Sequence, residues 1–152
     1  AIGRVLKRTN ELLEMPDSDL YQGIEEHFST LIAKVTGERY TGISGWNAIP
    51  DAVRRPDGVE IGYSYLSAGT KDVFSICLRL AIAEYYTRES TGFLLMDNPL
   101  VDLDPERQRV VADLIQERSG RMQLLVFTCH PSHADLYPRA HRVDLHQRST
   151  SI

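Results

Sequence analysis

The sequence predicts an α/β fold: a mostly parallel sheet flanked by helices, with a small antiparallel element ahead of it. Three observations carry that expectation. Beyond Leu66 the chain alternates helix, strand, helix, strand; two short apolar runs, Phe93–Met96 and Leu124–Phe127, the second in a strand Gln123–Phe127, each lead into polar residues; and residues 39–65 break into short runs punctuated by Gly, Pro and Asn. At 152 residues, 42% hydrophobic and 25% charged, the chain has the length of a single domain, 1–152, that can bury one core.

Each element has a local reason. In residues 1–15, Ile2, Val5, Leu6, Leu12 and Leu13 recur near helical spacing until Pro16, which has no N–H to donate, stops the run. This helix reads either as an amphipathic surface helix or as the base of a coiled coil. The next stretch, 16–65, holds a helix and short strands. Asp17 and Ser18 can cap that helix, its apolar positions Leu20, Ile24, Phe28, Leu31, Ile32 and Val35 recur at three and four, and Gly37 can end it. Two or three antiparallel strands follow around Tyr40–Ile43, Ala52–Arg54 and Val59–Tyr63, with Pro56-Asp57-Gly58 as a turn.

Residues 66–146 carry the strongest pattern. Thr70–Thr87 reads as a long helix, Phe93–Met96 as a buried strand, and Pro105–Arg118 as a helix whose apolar side is Val110, Val111, Leu114 and Ile115. Arg142–Leu145 reads as a last short strand and 147–152 as a tail.

Composition narrows the function classes. The net charge is −4, without a basic half, which disfavours a free-standing basic reader of nucleic acid. No apolar run approaches the roughly 18 residues of a membrane span. Cys77 and Cys129 sit in apolar runs without metal-ligand spacing, as expected of buried thiols in a reducing cytosol.

Four places carry chemistry. Leu66-Ser67-Ala68-Gly69-Thr70 is a small-residue turn entering a helix, where unpaired N–H groups and the helix dipole suit either a phosphate or an ordinary Ser67 or Thr70 cap. Asp97 follows an apolar strand, at the end where open α/β sheets bind ligands; it is either a Mg²⁺ carboxylate or a solvated strand end. Asp104 precedes Pro105 and suits an N-cap. Thr128-Cys129-His130 leaves the next strand at the edge that parallel topology shares with Asp97.

Taken together, these four motifs, in this order, resemble the carboxyl-terminal lobe of an ABC-type ATPase head. Leu66–Thr70 matches the signature motif, Phe93–Pro99 the Walker B strand, Leu103-Asp104 the D-loop and His130 the switch histidine. The form Leu-Ser-x-Gly-Thr, the runs Leu78-Arg79-Leu80-Ala81, Asp104-Pro105-Glu106-Arg107 and Phe127-Thr128-Cys129-His130, and the stretch Phe28–Thr41 with Gly37-Glu38-Arg39-Tyr40 are similar to the SMC-like genome-maintenance branch, such as SbcC, RecN and the YhaN-like ATPases. The resemblance covers roughly residues 20–146.

That resemblance implies a cytoplasmic, and in bacteria nucleoid-associated, DNA-repair or chromosome-maintenance ATPase. Asp97 would help hold Mg²⁺ and His130 would meet the γ-phosphate of ATP. Ser67, Ala68, Gly69, Thr70 and Asp104 would face the nucleotide of a second head in a homodimer. It implies further partners: an amino-terminal Walker A lobe, DNA reached through coiled-coil arms, and a nuclease or other effector subunit.

Two departures qualify it. No Gly-rich loop ending in Gly-Lys-Ser/Thr occurs, so the floor of the phosphate site is expected from another segment. Asn98 stands where the family carries a catalytic carboxylate, and an amide has no protonation equilibrium near pH 7, so impaired hydrolysis is expected. This leaves open a variant slowed so as to trap nucleotide, a member that hydrolyses slowly, and a non-hydrolysing nucleotide-gated structural or binding module.

Overall fold

The structure, a computed structural model, describes residues 17–47 and 49–145. The predicted helix over 1–15 and the tail over 147–152 lie outside the described residues.

Helix α1 spans Asp17–Thr36 and buries Ile24, Phe28, Leu31 and Ile32 along one face. Its end is set by Gly37 at φ +59, after which Glu38 N–H returns to the Ala33 carbonyl at 2.7 Å. Glycine enters that left-handed region at least cost, Glu38 follows it there at φ +62, and the backward bond satisfies an orphan carbonyl of the last turn.

Strands β1 (Gly42–Asn47), β2 (Ile49–Arg54) and β3 (Glu60–Gly62) form an antiparallel sheet in that order. Ile43 and Val53 are paired and both fully buried, so the register turns one apolar face towards α1. A 3₁₀ turn over Tyr63–Tyr65 then delivers the chain to α2, Ala68–Thr87.

Helix α2 is the central element. It buries Val73, Phe74, Ile76, Cys77, Leu80, Ala81 and Tyr85, too broad an arc for a one-sided surface helix. Phe74 meets Phe28 of α1 at a ring-centroid distance of 4.9 Å and Tyr63 at 5.2 Å. The two helices approach closely because residue 23 has no side chain: a Cβ on Gly23 would stand 2.3 Å from the Tyr85 ring.

Strand β4 (Phe93–Asp97) pairs in parallel with β5 (Gln123–Phe127), and helix α3 (Pro105–Arg118) connects them. Helix α4 is the single turn Pro131–Ala134. Leu94 and Met96 of β4 and Leu124 and Val126 of β5 pack on the core, while Phe93, Leu95, Leu125 and Phe127 form an exposed face.

Four expectations need correction. Phe93–Met96 is not a buried strand, since Phe93 is 66% and Leu95 53% exposed: a continuous apolar run shows that both faces want cover, not that both have it. Arg142–Leu145 is not a strand. Its backbone has no ladder partner among the described residues, and Arg142 instead pairs with Asp135 and Asp144 at 3.3 and 3.2 Å. Val110 is exposed, and Ala112 joins the buried side of α3 in its place. Cys77 is buried, its thiol pushed up to about 12 by that burial, whereas Cys129 is exposed.

One polar cluster crosses the core. Glu84 of α2 is 5% exposed; its carboxylate lies 3.1 Å from His27 Nδ1 of α1 and 3.4 Å from Arg118 Nε of α3, the latter without hydrogen-bond alignment. Three helices thus converge on one carboxylate.

Candidate functional site

The Ser67 turn is open to solvent. Ser67 and Ala68 are exposed, and Ser67 caps α2, its Oγ accepting from Thr70 N–H at 3.4 Å. Thr70 is buried and its hydroxyl engages Ser67 Oγ at 2.8 Å, so Thr70 shapes the turn from beneath. Gly69 is half-buried because Arg107, from the first turn of α3, lies over it.

The loop between β4 and α3 ends in a true cap. Asp104 accepts from the N–H groups of Glu106 and Arg107 at 3.1 and 3.0 Å, with Pro105 at the first helical position. The Arg107 N–H bond first of all, with the guanidinium charge beside it, holds the Asp104 carboxyl below its ordinary range. Leu100 and Leu103 turn inward and are buried. Gln108 of α3 holds the loop's backbone, its Nε2 donating to the carbonyls of Leu100 and Leu103 at 3.1 and 2.9 Å.

At the carboxyl edge of the parallel sheet, Asp97 is exposed and lies opposite Phe127 in register. Asn98 sits at φ +44, a conformation that Asn tolerates better than most residues. Its N–H donates to Phe127 O at 2.9 Å, and its Oδ1 accepts from Cys129 N–H at 3.3 Å. The amide therefore ties the end of β4 to the end of β5. His130 is exposed just beyond, its N–H donating to Thr128 Oγ1 at 3.1 Å and its ring 4.7 Å from that of His133.

The structure thus brings the predicted residues together in two groups. Asp97, Asn98 and His130 share the sheet edge. Ser67, Ala68, Gly69 and Thr70 join Asp104 through Arg107, and the loop 98–104 links the two groups. Behind the Ser67 turn a cavity of about 100 Å³ is lined by Thr36, Arg39, Tyr40, Thr70, Val73 and Arg107. It is too small for a nucleotide, given the ~300–1,000 Å³ usual for ligand pockets.

Sequence reading missed Gln108 and His133, which belong to no motif, and the contact of Arg107 with Gly69, although Arg107 was within a matched run. Arg54, which ends β2, and Arg55 after it are engaged locally: Arg54 donates to Ile43 O at 2.9 Å and Arg55 pairs with Asp57 at 3.1 Å. Among the described residues no cluster of three or more His, Cys, Asp or Glu is placed to hold a metal ion. A lone strand-end carboxylate still fits Mg²⁺, which keeps several waters and takes its remaining ligands from substrate phosphates. No helix among the described residues is long and apolar enough to cross a membrane.

No family model matches the chain. In sequence it is 33% identical over 92 residues to an uncharacterized protein of Mycobacterium tuberculosis, covering 60% of this chain and 10% of that one. It is 29% identical over 126 residues to the DNA double-strand break repair Rad50 ATPase of Thermococcus kodakarensis, covering 80% of this chain and 14% of that one. The chain therefore spans only 10–14% of the length of these curated relatives.

In structure it matches a chain solved for work on ATP-driven dimerization and DNA-stimulated activation of SMC ATPases, with TM-score 0.65 and 21% identity over 83% of this chain and 79% of that one. The SMC head domain from Thermotoga maritima matches with TM-score 0.57 and 24% identity, over 78% of this chain and 41% of that one. The fold is that of an ABC-type ATPase head, in its carboxyl-terminal lobe. Within that class it is the SMC-like head that the chain matches.

Proposed function

We propose that this chain is one half of an ATP-binding and ATP-hydrolysing head of an SMC-like DNA-repair or chromosome-maintenance ATPase. The observation that carries the reading is the loop 98–104: it runs from the sheet edge bearing Asp97, Asn98 and His130 to the helix start whose Arg107 covers the exposed Ser67 turn. One connection thus joins the residues for a nucleotide on this head to those for a nucleotide on a second copy.

In that reading Asp97 helps hold Mg²⁺, which when bound draws charge off the phosphate oxygens. His130, exposed at the neighbouring strand end, donates to the γ-phosphate. Asn98 orients by hydrogen bonding but takes no proton, so water activation is weak. Ser67 and Gly69 offer a hydroxyl and a helix start to the opposite nucleotide, where γ-phosphate charge is attracted and its loss releases the pair. An amino-terminal lobe bearing the phosphate loop covers the exposed Phe93, Leu95, Leu125 and Phe127. The repair role named for the Thermococcus protein supports DNA as the polymer acted on, with an effector such as a nuclease as a further partner and the cytoplasm or nucleoid as the location.

A second reading, a nucleotide-gated module that does not hydrolyse, is favoured by one observation: the Asn98 amide is engaged as a structural tie to Cys129. Two measurements test these readings. MgATP calorimetry should show weak binding by this chain alone and restored binding with a phosphate-loop lobe; tight binding alone overturns the half-site. Single-turnover hydrolysis by the joined lobes should rise on Asn98→Glu; no rise leaves the non-hydrolysing module.

A further inference from the structure

We infer that His133 is a positioning residue that couples the γ-phosphate histidine to the loop facing the second head, by way of Gln108. The inference rests on the functional reading above and adds a route of communication to it.

His133 is 8% exposed, and its Nε2 lies 3.2 Å from Gln108 Nε2. The orientation of the Gln108 amide is fixed independently, because the same nitrogen donates to the carbonyls of Leu100 and Leu103. Turning the amide over would set its oxygen against two carbonyl oxygens. An NH₂ group has no acceptor capacity, so His133 Nε2 must be the unprotonated nitrogen and share a Gln108 hydrogen with the carbonyls. The tautomer this arrangement selects carries its proton on Nδ1. That Nδ1 has no hydrogen-bond partner among the described residues, which leaves Gln108 as the group that sets the tautomer.

The other face of the relationship is His130, whose ring lies 4.7 Å from that of His133 at an angle of 46°. His133 thus touches the exposed histidine through its ring and the loop backbone through one amide. When His130 turns to a phosphate, the His133 ring must follow or lose contact, and Gln108 carries that displacement to the carbonyls of Leu100 and Leu103. The loop that begins at Asn98 and ends at Asp104 would then differ between the occupied and empty states of its own head.

Two measurements test this. In ¹⁵N NMR of the chain, His133 should show an unprotonated Nε2 and a protonated Nδ1; the opposite tautomer, or a charged ring at neutral pH, overturns the inference. In heads assembled from this chain and a phosphate-loop lobe, His133→Phe keeps a ring beside His130 but removes the acceptor. It should weaken MgATP-dependent dimerisation about tenfold, whereas His133→Gln, which returns an acceptor oxygen, should recover to within about threefold. Equal losses in both variants, or no loss in His133→Phe, overturn the coupling and leave a packing role. His130→Ala serves as the control: if it too leaves dimerisation unchanged, the ATPase-head reading itself falls, and the inference with it.

Discussion

Arg107 occupies the space that a side chain at position 69 would need: its Nη1 lies 2.6 Å from where a Cβ on Gly69 would stand. Gly69 is not among the residues with positive φ, so what matters at this position is its small size and not its backbone freedom. The obstructing atom is the tip of a flexible side chain that Asp104 Oδ2 also holds at 3.4 Å. Gly69→Ala should therefore fold, losing no more than about 1 kcal/mol in a urea melt. MgATP-dependent association of assembled heads, followed by light scattering, should fall much further, because the Arg107 tip must shift from its place over the Ser67 turn. Unchanged association would separate the Ser67 turn from the head contact.

Asn98 combines a left-handed backbone with a bond to Cys129 N–H. Asn98→Ala loses both the favourable conformation and the acceptor, and should destabilise the chain by about 1–2 kcal/mol. Asn98→Asp keeps an acceptor at the same reach and should stay within about 0.5 kcal/mol of the parent. It should also raise single-turnover hydrolysis in assembled heads, where Asn98→Ala does not. Equal stability of the two variants would show that the amide is not a tie.

Glu84 is a buried carboxylate, 5% exposed. Arg118, 14% exposed in its side chain, would be left without its carboxylate, and breaking a buried pair from one side costs about 3–5 kcal/mol. Glu84→Ala should lower stability by about 3 kcal/mol, and His27→Ala by less, because His27 is 32% exposed. Matched thermal and urea melts check the order; a reversal would place the charge balance elsewhere.

Asp104 gives a pH signature. Its carboxyl is lowered from the ordinary 3.8, chiefly by the Arg107 N–H. A depressed carboxyl contributes stability that is full above its unfolded value and is lost as pH falls through the folded value. Thermal midpoints should therefore drop below about pH 4, and Asp104→Asn, which still caps the helix, should remove that part of the drop. Superimposable acid profiles would assign the loss to other carboxyls.

Sequence pattern read some elements well and others not at all, for physical reasons. The Asp104-Pro105 start of α3 was legible because a cap and a preset dihedral are local, and the bounds Pro105–Arg118 match. Helix α2 starts two residues before the predicted Thr70, since Ser67 caps and Ala68 is already helical. Burial of β4 was misjudged because apolar content encodes demand for cover and says nothing about its source. The sheet-edge grouping of Asp97 and His130 followed from parallel topology alone. Gln108 and His133 were invisible: they lie 25 residues apart, and only the packing of α3 against the chain after β5 brings them together.

The Glu84 cluster has a mechanical consequence. A shift of α1 or α3 relative to α2 would draw His27 or Arg118 away from a carboxylate that is 5% exposed and leave it short of a partner.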